Sequence, residues 1–180
     1  MRSRRACAVI VGVAGLVLFG AGAPAWASPG DTDTTFDLGS GTLAISVPAS
    51  ASLGSFPTGS TLVSGQLGST TVNDTRAALV AQWSASVSST DFLNTTTGGT
   101  SASETVAKAN VAYTTGLPSS TTGTGTFVPV GAASLAVSGV AGTWAGVGNN
   151  SATWDPTVAM TLLGSQVAGT YSGTITHSVL

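Results

Sequence analysis

Few residues of this chain can carry chemistry, and their scarcity is the first constraint on function. His177 is the single histidine and Cys7 the single cysteine, and Cys7 lies in an N-terminal stretch expected to be removed. Nucleophilic catalysis needs a base beside a serine or thiol and a third group to orient that base. His177 instead alternates with Thr176 and Ser178 in "GTYSGTITHSVL". That period of two places Tyr171, Ile175, His177 and Val179 on the inward row of a strand. A packed strand histidine is the expected reading.

The carboxylates lead to a similar result. A glycosidase needs two carboxyl groups converging on a cleft, and the candidates are Asp74, Asp91, Glu104 and Asp155. Each sits beside turn-forming residues, where Asp is common because it caps turns. Asp31, Asp33 and Asp37 in "DTDTTFD" set two carboxylates on one side of an extended chain and raise weak calcium binding as an option. The stretch lacks the turn glycine and terminal glutamate of a calcium loop, so a solvated acidic arm is expected. No catalytic group, cofactor or metal is expected in the chain.

More is carried by "VNDTRA", where Arg76 follows Asp74 by two positions. Positions two apart in a strand share a face, so the pair is expected to form a local ion pair that pins a neighbouring loop, ahead of a ligand-gripping arginine. Trp83 lies on an apolar row and reads as core. Trp144 in "VAGTWAGVGNN" is flanked by small residues, and two readings stand: a plug at the end of the core, which carries more weight, or an exposed ring beside Asn149 and Asn150 that stacks on a sugar. Trp154 and Tyr171 join these as framework or ligand candidates.

The elements that must position these residues are strands. "TLAISVP", "STTVN", "AQWSASVS", "NVAYTT", "GTFVPV", "SLAVSGV", "TWDPTVAMTL" and the closing segment all alternate or are rich in β-formers. "SETVAKAN" has room for one short turn capped by Ser103. "LNTTTGGTSAS" and "GLPSSTTGTG" read as low-complexity loops. The fold expected is all-β, a β-sandwich of two antiparallel sheets with Greek-key-like connections.

Upstream, "MRSRRACAVIVGVAGLVLFGAGAPAWA" has three arginines, an apolar run and an A-x-A site at Ala25–Ala27, the layout of a secretory signal peptide over residues 1–27. Residues 28–35 follow as a flexible acidic arm and 36–180 as a single domain. Past the leader, Arg76 and Lys108 face all seven acids. This balance argues against nucleic acid and against acidic membrane surfaces.

The order of motifs from "ISVPASASLGS" through "LGSTTVNDTRAALVAQWSASVSSTDF" to "GTYSGTITHSVL" resembles the WxL domain, a cell-surface β-sandwich of Gram-positive bacteria. Val72, Asp74 and Arg76 match that family's V-x-D-x-R lead-in. Trp83-Ser84-Ala85 stands at its first W-x-L motif, and His177-Ser178-Val179 at its second. The resemblance implies non-covalent attachment to the wall through peptidoglycan or wall glycan. The expected protein is therefore secreted and non-enzymatic, held at the cell surface by wall glycan, with no membrane contact after the leader is cleaved. The alternative is a structural subunit that pairs with other surface proteins, or with itself, through edge strands.

Overall fold

The computed structural model describes residues 33–180; the expected leader, residues 28–32 of the arm and Asp31 lie outside the described residues. Asp33–Asp37 are exposed and carry no regular structure. Leu38–Leu180 form one compact unit. It holds β1 (Leu43–Ser46), β2 (Leu62–Gln66), β3 (Thr70–Asp74), β4 (Ala81–Ser89), β5 (Phe92–Asn94) and β6 (Thr105–Val106). These are followed by β7 (Val111–Thr114), β8 (Pro118–Pro129), β9 (Gly139–Trp154), β10 (Thr157–Thr161), β11 (Tyr171–Ser172) and β12 (Ile175–Val179). The described residues contain no α-helix. The fold is all-β and sandwich-like, and every strand pairing is antiparallel.

Three sheets stand where two were expected. The large one has six strands, β2-β10-β7 form the second, and β11-β5-β6 form a small third sheet. The organiser of the large sheet is β9, which is 16 residues long. One edge of β9 pairs with β8 from Trp154 to Gly142. The other edge pairs with β3 over Asn150–Trp154 and with β4 over Gly139–Gly146. Since both run antiparallel to β9 along the same edge, β3 and β4 are two halves of one strand line, broken by residues 75–80. The next line out is broken at the same level, with β1 on β3 and β12 on β4. Leu180 bonds to Ser84 and Thr42 to Thr75, so β12 ends near where β1 begins.

Alternation explains which face each strand buries. Val72, Ala81, Trp83, Ala85, Val87, Ala152 and Trp154 point inward, opposite Val111, Tyr113, Val158 and Met160 of the second sheet. Four aromatic rings form a row across this interior. Trp144 stacks on Trp83 at 6.2 Å and 9°, Trp83 meets Phe127 at 5.7 Å, and Phe127 stacks on Trp154 at 5.1 Å. Such pairs add about 0.5–1.5 kcal/mol each beyond the area they bury. Glycines make the room: a Cβ on Gly142 would meet the Phe127 ring at 2.5 Å, and one on Gly125 the Trp144 ring at 2.8 Å.

Several local expectations are corrected. "GLPSSTTGTG" is not a loop, because Pro118–Gly125 belong to β8. Likewise "VAGTWAGVGNN" is the body of β9. Their glycines lowered the strand signal, yet each segment gains its ladder by pairing with the other. "SLAVSGV" contributes only Gly139 and Val140 to a strand. Pro156, which has no N–H for the ladder, splits "TWDPTVAMTL" into the end of β9 and β10. The short helical turn falls at Lys108–Asn110 with no side-chain cap, and Thr105–Val106 before it are strand.

Trp154, fully buried at the end of the aromatic row, carries a large share of this core. Trp154→Ala should lower the unfolding free energy by about 3–5 kcal/mol in urea titrations. A loss below about 1 kcal/mol would mean that the row is not central to the packing.

Candidate functional site

Where the β3–β4 line breaks, the chain must bury a charge. Asp74 is 0% exposed and ends β3 on the inward row. Its carboxylate accepts from Arg76 Nε at 2.9 Å and Arg76 Nη2 at 2.8 Å, and the Arg76 backbone N–H donates to it at 3.0 Å. Arg76 Nη2 also donates to the Gln82 carbonyl. The Arg76 guanidinium holds the Asp74 carboxyl below its usual 3.8. Asn150 Nδ2 donates to Asp74, while Asn150 Oδ1 accepts from the Trp83 indole at 2.7 Å. Asn149 Oδ1 accepts from the Ala77 N–H, and the Gly148 N–H donates to the Ala78 carbonyl.

The expected pin therefore exists, and it is wider than the sequence implied. Asn149 and Asn150, beside which the exposed-ring reading sets Trp144, are structural partners of the break. Trp144 itself is 3% exposed, like Trp83, and the exposed-ring reading of Trp144 is corrected in favour of the core. The neighbouring strands β4 and β8 cover it, and its Nε1 has no hydrogen-bond partner. Tyr171 braces the small sheet, its hydroxyl donating to the Val167 carbonyl at 2.8 Å.

At the other end of the aromatic row lies His177. The Trp154 indole donates to Tyr113 Oη at 3.1 Å, and Tyr113 Oη lies 3.0 Å from His177 Nε2. An indole N–H can only donate. The buried phenol has Nε2 as its other partner, and the arrangement that keeps the phenol O–H paired has it donate to Nε2, which assigns the imidazole proton to Nδ1. Burial lowers the pKa of His177 from 6.5 and pushes Tyr113 up to about 12. Tyr113 and Phe127 were not singled out from the sequence, although the inward parity of "NVAYTT" and "GTFVPV" carried the signal.

The remaining acids do not converge. Asp91 accepts from the Lys108 N–H, Glu104 from Ser101 and Asp155 from Ser69, each engaged with a different partner. Asp33 and Asp37 are exposed, and no cluster of three potential metal ligands occurs among the described residues.

The outward face of the large sheet is built from a different set of residues. Register puts Ser46, Thr71, Thr153 and Ser120 in one cross-strand row, and Ala44, Asn73, Ser151 and Thr122 in the next. Thr71 Oγ1 and Thr153 Oγ1 are 3.0 Å apart, and Thr122 Oγ1 and Ser151 Oγ 2.7 Å. Past the break the rows continue as Ser84–Thr143–Val128, Gln82–Ala145–Thr126, Ser86–Ser178 and Ser88–Thr176. None of these positions is charged or aromatic.

No family model, no curated protein and no solved structure matches the chain.

Buried Asp74 and half-buried His177 give stability two acid steps. Folding lowers the His177 pKa, so its contribution is complete above about 6.5 and declines as pH falls from there towards the folded value. Folding also lowers the Asp74 pKa, so that stability is complete above 3.8 and is lost as pH falls through the folded value. Urea unfolding from pH 8 to pH 2 should show both steps. His177→Phe should remove the first alone. Asp74→Asn should remove the second alone and cost about 1.5–3 kcal/mol at pH 7. A wild-type profile that is flat between pH 7 and pH 5 would contradict the buried neutral imidazole.

Proposed function

We propose that the chain is a secreted, non-enzymatic cell-envelope module related to WxL domains, held at the wall non-covalently by the hydroxyl face of its large sheet. The observation that carries this reading is the face itself, an uncharged set of cross-strand rows on four strand lines, mostly Ser, Thr, Asn and Gln with Ala44, Ala145 and Val128 among them. Sugars without charge offer hydroxyl groups at comparable spacing, and hydroxyls both donate and accept. The leader-like N-terminus and the Val72-Asp74-Arg76 lead-in to Trp83 favour the same setting. The tryptophans act as framework in this reading, because all three are buried.

The test is co-sedimentation of residues 28–180 with isolated Gram-positive peptidoglycan. Retention should persist in 1 M NaCl, since screening weakens only charge-based binding. Thr71→Glu combined with Ser151→Glu should release the protein without unfolding it. Release of the wild type by salt, or full retention of the double variant, would defeat the reading.

A second reading rests on the outer edge of β8. Among the described residues its strand partner is β9 alone, and Ser119–Thr126 are exposed on both faces. An unprotected edge of this length is a template for pairing with another copy. Light scattering should then show mass rising with concentration, and Thr121→Lys should abolish the rise. A monomer at every concentration would exclude edge pairing.

A further inference from the structure

Between the large and second sheets, beneath the segment Val47–Leu53 that follows β1, lies a cavity of about 360 Å³. Leu67, Phe92, Val158, Met160 and Ile175 give it apolar side chains, and polar groups, with Ser50, Ser172 and Thr174 among the lining residues, give it at least as much polar surface. Thr70 and His177 line it as well, and each has a buried polar atom with no hydrogen-bond partner, Thr70 Oγ1 and His177 Nδ1. Thr70 is 0% exposed. Buried polar groups in folded proteins are almost always paired, so two orphans on one cavity call for a partner.

The covering segment is placed rather than bonded. Leu53 sits over Gly65 and Pro48 over Gly68, where a Cβ would meet them at 3.0 Å and 2.9 Å. No backbone hydrogen bond joins residues 47–56 to the sheets. A second cavity of about 510 Å³ shares Leu53, Phe92 and Met160 as walls. None of the residues lining either cavity is an acid, a lysine or an arginine.

We propose that this cavity is a binding site for an uncharged amphiphile, a short apolar chain ending in a hydroxyl or carbonyl oxygen. The oxygen accepts from His177 Nδ1–H, the tautomer assigned above from the Trp154–Tyr113–His177 chain of hydrogen bonds, and it meets the Thr70 hydroxyl. The chain lies along Phe92 and Met160 towards the second cavity. The covering segment moves to admit it. A carboxylate head is disfavoured, because no cation lines the site to offset its desolvation.

The experiment titrates 1-octanol against 1-chlorooctane, followed by the imidazole nitrogen signals of His177 and the indole N–H of Trp154 in the folded chain. Octanol should bind saturably and at least tenfold more tightly than chlorooctane, shifting the His177 Nδ1 signal. Thr70→Val and His177→Phe should each bring the two affinities together. His177→Trp should occupy the space and abolish both. Equal affinity for the two probes in the wild-type protein, or no saturable shift with octanol, overturns the proposal. A crystal structure in which water bridges Thr70 and His177 and stays in place in octanol would overturn it as well. These readouts do not depend on wall binding.

Discussion

A carboxylate removed from water at a break in the sheet is the constraint from which much of this structure follows. Asp74 is fully buried, and an unpaired charge there would be untenable. The guanidinium fork of Arg76 answers it, and this fixes where the chain turns out of the sheet after β3. Because the same guanidinium reaches the Gln82 carbonyl, the point of re-entry at β4 is set too. Asn150 then links the carboxylate to the Trp83 indole, so the position of the aromatic row depends on a polar contact. The strain of Ala77, at φ 52°, is tolerated because Asn149 and Gly148 tie the loop down on both sides.

The large sheet keeps its aromatic rings to one face. Every tryptophan of the domain is inside, where rings stack across strands, and the outside is mainly hydroxyl and amide, with Val128 and Val140 among them. Binding on the outer face therefore has to come from many weak hydrogen bonds rather than from a few stacked rings. Each such bond contributes modestly on its own. Area and regularity would have to supply what single contacts do not, and the row spacing of the strands supplies regularity.

The fold class, the inward row of β4, the closing strand and the Asp74–Arg76 pair were legible because each follows from local parity or two-residue spacing. The β8–β9 ladder was not. Its glycines are required by the Trp144 and Phe127 rings of neighbouring strands, and a sequence window cannot distinguish a glycine that makes room for a ring from one that makes a turn. Trp144 was doubtful for the same reason: its small neighbours suggested exposure, whereas they are the space into which it and Phe127 fit. The polar roles of Asn150 and Tyr113 were not legible, because their partners lie 67 and 64 residues away, at Trp83 and His177.

The outermost line of the sheet is shared by the first and last strands, β1 and β12, running in the same direction on either side of the break. Nothing local holds that line in register, since its halves are separated by the whole domain. A chain emerging from its N-terminus can set β1 on β3 only after residue 74 is available, and can finish the line only when Leu180 arrives. By separation along the chain, β1 on β3 is the most local of these pairings and β12 on β4 the most distant, so the β12 half of the line is the slow one to close.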